Sequence, residues 1–303
     1  MSTASRKLFD ESTLRKLEQL ALVATRVRAG AIKGERRSTR RGTSIEFADY
    51  RNYVRGDDLR RVDWNIFARL ERPFIKLLEE EEDLAVHLLL DASASMDWPR
   101  DPAAPETVHK FTFARRLLAG LAYIALQSGD QVSIKAFAGR QVQQWGPARG
   151  RARMLEMLAA VERFTAAGDT DLTAALREYA LRGGRPGLVF VISDFFSPTG
   201  YEDGLTALQG RGHEVVLIHV LSPDEVMPPL AGDLRLVDVE TLAGQDVTVD
   251  AGLRDLYVRR LAAWREAIQR YCTGRGVQYV PLETSVLWEE VILFQLRRLG
   301  VVR

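Results

Sequence analysis

Three short segments of this sequence carry oxygen-bearing side chains at spacings suited to one cation. The first reads Asp91-Ala92-Ser93-Ala94-Ser95-Met96 and follows the largely apolar run at 84–90. Alternate positions 91, 93 and 95 can therefore turn one carboxylate and two hydroxyls toward a single point. The second segment, Gly168-Asp169-Thr170-Asp171-Leu172, precedes a predicted helix, and the third, Ile192-Ser193-Asp194-Phe195, leaves another apolar run. A small hard ion such as Mg²⁺ takes about six oxygen ligands and keeps several as water. Two or three hydroxyls with one or two carboxylates would hold it and leave a position for an outside ligand. Alone, the Asp-x-Ser-x-Ser string reads equally well as a helix N-cap whose side-chain oxygens accept backbone amides. Its company in two further loops is what points to Asp91, Ser93, Ser95, Thr170 and Asp194 as a metal site.

Loops from distant parts of a chain meet only if the elements beneath them end together. Apolar runs at 84–90, 187–193 and 213–221 read as buried strands, 131–137 as a strand with 141–145 as its hairpin partner. Helical patterns lie between them, at 107–128, 151–164, 171–182 and 201–209. Apolar strands alternating with helices predict an α/β fold, a doubly wound, mostly parallel, Rossmann-like sheet covered on both faces. In such sheets ligands sit beyond the carboxyl ends of the strands, where the three loops fall. An amphipathic helix is predicted over 12–31 from Leu14, Leu17, Leu20, Leu22 and Val27, with Ser12 as its cap. Downstream come a hairpin at 234–249, a long helix at 253–273, a short strand at 278–282 and a final helix at 286–299. The expected organisation is an N-terminal helix and strand extension (1–83) packed on the main domain, an α/β domain (84–225), and a C-terminal hairpin with helices completing the fold (226–303).

Bulk composition limits the function classes. The chain has 303 residues, 46% hydrophobic, with 42 Lys and Arg against 41 Asp and Glu, so no global charge draws it to nucleic acid or an anionic membrane. Cys272 is the only cysteine, which excludes an intrachain disulfide and a cysteine-based zinc site. His87, His109, His213 and His219 form no pair at metal-ligand spacing, and His87, inside a strand run, reads as a core residue. No signal-peptide core and no run near the roughly 20 apolar residues of a membrane span is present, so a cytoplasmic protein without a membrane span is expected.

The basic stretch at 26–72, with Arg36-Arg37 and Arg40-Arg41, offers an RNA-binding alternative. Interleaved Glu46, Asp49, Asp57, Asp58 and Asp63, followed by the acidic run Glu79–Asp83, favour surface ion pairing instead, and no nucleic acid partner is expected. Among those charges Tyr50, Tyr53, Trp64 and Phe67 read as anchors for the N-terminal segment or as partner contacts. Trp98 and Pro99, just past the first loop, would rim the site. No phosphate-binding Gly-rich loop with a following Lys and no Gly-x-Ser-x-Gly elbow occurs. Metal-dependent phosphoester hydrolysis through Asp91, Asp169, Asp171 and Asp194 is the enzymatic alternative. Against it, the ligand set offers no general base, and no Lys or Arg is evident beside the loops. The expectation is a binding protein rather than an enzyme.

The site string Asp91-x-Ser93-x-Ser95, with Thr170 and Asp194, resembles the metal-ion-dependent adhesion site of von Willebrand factor A domains. Upstream, Tyr53-Val54-Arg55-Gly56-Asp57-Asp58-Leu59-Arg60-Arg61-Val62-Asp63-Trp64-Asn65 and then Ala68-Arg69 resemble the signature of the bacterial family called domain of unknown function 58. Together the likeness spans about 25–225. It implies that those five side chains hold an ion directly or through water, Mg²⁺ with Mn²⁺ or Ca²⁺ as substitutes. It also implies that a partner protein's carboxylate fills the remaining position, and that the chain works with a MoxR-type AAA+ ATPase in assembly or maturation of client proteins. Two departures stand out: many relatives have Gly-Gly-Thr-Asp where this chain has Gly168-Asp169-Thr170-Asp171, and longer relatives carry N-terminal membrane spans.

Overall fold

Strands buried on both faces must be largely apolar, and the central strands here are, with His87 and His219 as buried polar exceptions. The computed structural model describes residues 8–9, 11–24, 45–54, 62–80, 84–101, 103–139, 141–182, 184–239 and 243–303. The paired arginines at 36–37 and 40–41, residues 55–61 of the upstream signature and 81–83 of the acidic run lie outside the described residues. In chain order the elements are α1 (Glu11–Leu17), β1 (Ile45–Asn52), α2 (Trp64–Leu70), β2 (Phe74–Glu80), β3 (Ala85–Asp91), α3 (Lys110–Gln127), β4 (Gln131–Ala138), β5 (Gln141–Arg149), α4 (Met154–Glu162), α5 (Leu172–Arg182), β6 (Leu188–Ser193), α6 (Glu202–Gly210), β7 (Glu214–Leu221), α7 (Pro223–Val226), β8 (Gly232–Val237), β9 (Gly244–Val249), α8 (Ala251–Arg275) and β10 (Gln278–Glu283). A helical stretch from Trp288 follows, turning π-type over Val291–Leu296.

The chain forms two units, one of residues 31–83 and one of residues 1–30 with 84–303. In the smaller, β1 and β2 pair antiparallel, and Asp63 caps α2 by accepting from the amides of Asn65 (2.9 Å) and Ile66 (3.2 Å). Trp64 and Phe67 meet edge to face at 5.9 Å on an exposed side of that helix.

The larger unit is built on a six-stranded sheet in the order β10-β7-β6-β3-β4-β5. Every neighbouring pair runs parallel except β4 with β5. This is the mostly parallel α/β sheet expected, and β10 adds its edge from the C-terminal region. Alternation divides the core between the two faces. Leu88, Leu90, Phe190 and Ile192 pack with α3 and α4, whereas Leu89, Val189 and Val191 pack with α5, α6 and α8. The chain leaves β3 toward β4 on one side and returns through β6 on the other. The crevice at that switch lies over the carboxyl ends of β3 and β6, which carry Asp91 and Ser193-Asp194. Among the described residues no helix is long and apolar enough to cross a membrane.

The helix expected over 12–31 ends at Leu17, and Ser12 lies inside it rather than capping it. Beyond it, Leu20, Leu22 and Ala24 are buried at every second position of an extended segment. Their backbone pairs with the C-terminus: Ala21 exchanges hydrogen bonds with Arg303, and the Val23 amide donates to the Val301 carbonyl at 2.8 Å. A period of two, overlapping a helical spacing in the same leucines, won because the chain end supplied a strand to pair with.

Two buried histidines make acid stability readable. Burial pushes His87 down to about 4 and His219 down to about 3, each with its Nδ1 on a tyrosine hydroxyl, Tyr179 and Tyr279 respectively. Both fold neutral, while an unfolded histidine takes a proton near pH 6.5. Their contribution is therefore whole above pH 6.5 and is lost as pH falls toward 4, because protons then favour the unfolded chain. Urea titrations from pH 7 to 4.5 should show a loss of about 3 kcal/mol or more, and His87→Gln should flatten that slope.

Candidate metal centre

Asp91 closes β3, and its carboxylate organises the loop that follows. Oδ1 accepts from the Ser93 amide at 3.0 Å and Oδ2 from the Ser193 hydroxyl at 2.6 Å, which ties the ends of β3 and β6 together. The loop is clamped by backbone on both sides. The Ala92 amide donates to the Phe137 carbonyl (2.8 Å), the Ala94 amide to Gly168 (2.7 Å), and the Ala92 carbonyl accepts from Ala167 (2.8 Å). In that frame the hydroxyls of Ser93 and Ser95 stand 2.9 Å apart. Adjacent ligands of an octahedral ion with bonds of about 2.1 Å are separated by about 3.0 Å, so this pair matches one edge of such a shell.

Thr170 reaches the same place from the second loop. Its hydroxyl donates to the Phe137 carbonyl at 3.2 Å, the oxygen that also receives Ala92, and accepts from the Gly139 amide at 3.4 Å. Asp169 and Asp171 are exposed. Asp171 instead caps α5, accepting from the Ala174 amide at 2.8 Å and the Thr199 hydroxyl at 2.7 Å.

The third loop turns sharply at Phe195, whose φ of 57° is a left-handed conformation that costs a bulky residue about 1–2 kcal/mol. The Ser193 hydroxyl accepts from the Phe195 amide at 2.9 Å, and Asp194 Oδ1 accepts from Phe196 at 3.2 Å. Asp194 Oδ2 accepts from the Lys110 ammonium at 2.7 Å, and Lys110 also donates to Glu225 Oε1 at 2.6 Å. All five residues named from the sequence thus lie on the converging loops. The Asp194 charge bears on the Asp91 carboxyl, and Asp91, Ser93, Thr170 and Asp194 are buried.

Lys110 corrects one expectation. A cationic side chain does stand beside the loops, wholly buried at the first turn of α3. Its place could have been suspected: a lysine at a helix N-terminus opposes the helix dipole, so it needs anionic partners. Ser193 and Glu225 were also missed. Ser193 adjoins Asp194 in a segment already singled out, while nothing near Glu225 marks its role beyond the Ser222 capping box that holds it. Trp98 is partly exposed and its carbonyl receives the Lys110 amide at 2.7 Å, whereas Pro99 beside it is buried and so does not form a rim. Phe196, unforeseen, lies 5.6 Å from the Lys110 ammonium and stacks on Trp264 at 5.3 Å.

Charge decides what this crevice can do. Burial, then the neighbouring Asp194 charge, raises the Asp91 carboxyl to about 6 in spite of its hydrogen bonds. Burial alone would lower Lys110, but Asp194 and Glu225 outweigh it and keep the ammonium charged above its ordinary range. Two carboxylates, Asp194 and Glu225, hold the one ammonium, and among the described residues Asp91 has no cationic partner. An added cation would relieve that imbalance. Among the described residues no three of His, Cys, Asp or Glu gather at one point, so an ion here would rely on hydroxyls and water to complete its shell. The donor set fits a small hard cation.

Residues 49–267 match the family described as protein of unknown function DUF58. The chain is similar to the uncharacterized protein Rv1480 of Mycobacterium tuberculosis, 28% identical over 275 residues that cover 90% of this chain and 85% of the relative. It is also similar to the uncharacterized protein MAV169 of Mycobacterium avium, 33% identical over 135 residues, 45% of this chain and 79% of the relative. Among solved structures it is similar to the conserved hypothetical protein BatB of Bacteroides thetaiotaomicron. That likeness has 15% identity and a TM-score of 0.43, covering 72% of this chain and 98% of BatB. A mussel-byssus proximal thread matrix protein with a zinc-occupied MIDAS motif shares 15% identity at a TM-score of 0.36, over 46% of this chain and 38% of its own.

Proposed function

The chain belongs to the DUF58 family, and we propose that it is a metal-ion-dependent protein-binding module of the von Willebrand factor A type. Asp91, Ser93, Ser95, Thr170 and Asp194 would hold Mg²⁺, directly or through water, and a carboxylate from a partner protein would complete the shell. One observation carries this reading: a buried carboxylate without a cation, Asp91, adjoins two serine hydroxyls spaced like neighbouring ligands of one ion. A bound divalent ion supplies positive charge to an incoming anion, and the chain's part is to orient oxygens and exclude competing water.

The protein acts by binding rather than turnover. Lys110, the buried ammonium beside the loops, is engaged by two carboxylates and inaccessible to a phosphate. The family resemblance adds a MoxR-type AAA+ ATPase as the partner and a cytoplasmic site of action in client assembly. Affinity capture with tagged protein from native lysate tests the proposal. Partners, the ATPase among them, should be retained with Mg²⁺ and released both by chelator and by Asp91→Ala. Equal retention under all three conditions would overturn it.

A further inference from the structure

An ammonium placed against a metal ligand competes with the metal. Lys110 is 0% exposed, stands at the unfavourable end of its helix, and is kept there by Asp194 at 2.7 Å and Glu225 at 2.6 Å. A buried charge of this kind persists only when its partners are well placed. Glu225 is: its Oε2 accepts from the Ser222 amide at 2.8 Å, and its carbonyl accepts from the Tyr257 hydroxyl of α8 at 2.6 Å. Asp194 is occupied on both oxygens, by Lys110 and by the Phe196 amide. Asp91 is the carboxylate of the site that no ammonium neutralises.

We propose that Lys110 is a positioning residue that holds Asp194 as an ion pair and thereby keeps the cation weakly bound until an external carboxylate arrives. This rests on the metal reading above and deepens it. With Lys110 present, an ion at the loops meets one uncompensated anion, Asp91, plus neutral hydroxyls. The partner's carboxylate is then the second anion, so metal and partner bind with positive coupling, each raising the affinity for the other. Without Lys110, Asp194 supplies that second charge from within the chain. Glu225, the second carboxylate on the ammonium at 2.6 Å, moderates its hold on Asp194.

The two carboxylate contacts predict opposite effects for two variants. Mn²⁺ binding, followed by the electron paramagnetic resonance of the free ion in wild type, Lys110→Met, Glu225→Gln and Asp91→Asn, provides the test. Lys110→Met should tighten Mn²⁺ by about tenfold or more, since a like charge beside the ion is removed from a low-dielectric site. Glu225→Gln should weaken it several-fold, and Asp91→Asn should abolish it. A purely structural role would make both Lys110→Met and Glu225→Gln weaker. If Lys110→Met fails to fold, Lys110→Gln takes its place, since it removes the charge and keeps a hydrogen-bond donor: tighter Mn²⁺ binding supports the proposal, and unchanged or weaker binding overturns it. A wild type that binds Mn²⁺ with the same affinity as a folded Lys110→Met overturns the role of Lys110 and leaves the metal site standing. A wild type that binds no Mn²⁺ brings down both.

Discussion

Replacing Asp91 with Asn should abolish cation binding and, in the same protein, raise the melting temperature without metal. The two effects share one cause. Asp91 is a desolvated carboxylate next to Asp194, and its carboxyl is pushed up to about 6. An acid whose folded pKa lies above its unfolded value holds more protons when native between about pH 4 and 6, so stability falls as pH rises through that window and stays lowered above it. The cost of keeping Asp91 ionised at pH 7 is at most about 3 kcal/mol. Asparagine removes the charge and still offers Oδ1 to the Ser93 amide. Calorimetry at pH 7.5 should therefore find the variant more stable than wild type, with the difference vanishing near pH 4. Mg²⁺ should stabilise wild type alone, with the variant's cation affinity at least about 100-fold lower. A variant less stable than wild type at pH 7.5 would mean that Asp91 already has a satisfactory electrostatic environment and needs no ion.

The second large effect falls at the opposite end of the same strands. Gly187 enters β6 where the chain passes Ala85, and a Cβ there would lie 2.0 Å from the Ala85 carbonyl oxygen and 2.8 Å from its carbon. The neighbour is backbone of β3 and cannot swing aside, so Gly187→Ala must separate the two central strands. We expect a loss of about 3 kcal/mol, seen as a fall in melting temperature of about 10 °C. Gly184→Ala is the control, since nothing lies within 4 Å of its added Cβ, and it should change stability by less than about 1 kcal/mol. The site is about 20 Å along the strand from Gly187, so the folded fraction of Gly187→Ala should bind Mn²⁺ as wild type does. Equal melting temperatures for the two alanine variants would contradict the tight β3–β6 approach.

The central sheet was legible because its strands are buried on both faces. Residues 84–90, 187–193 and 213–221 are apolar for the reason that helices cover both sides, and β3, β6 and β7 occupy them almost residue for residue. Asp91, Thr170 and Asp194 stood out because each is a polar residue at the exit of such a run or at a helix start. Lys110 did not, since its partners Asp194 and Glu225 are 84 and 115 residues away and nothing local records them. The end of α1 was hidden for a similar reason: Leu20 and Leu22 fit a helical spacing, and only pairing with Val301 and Arg303 makes the extended form preferable. Local periodicity records which face of an element is buried; it does not record which distant charge or chain end completes it.

The most direct test is a crystal structure of the wild-type protein grown with excess Mn²⁺, read by anomalous scattering. A single strong peak within bonding distance of Asp91 and of the Ser93 and Ser95 hydroxyls, with Thr170 and Asp194 around it, is the expected result. No peak at that position in well-ordered crystals at saturating Mn²⁺, or a peak bound by other residues alone, would contradict the metal site and the binding function drawn from it.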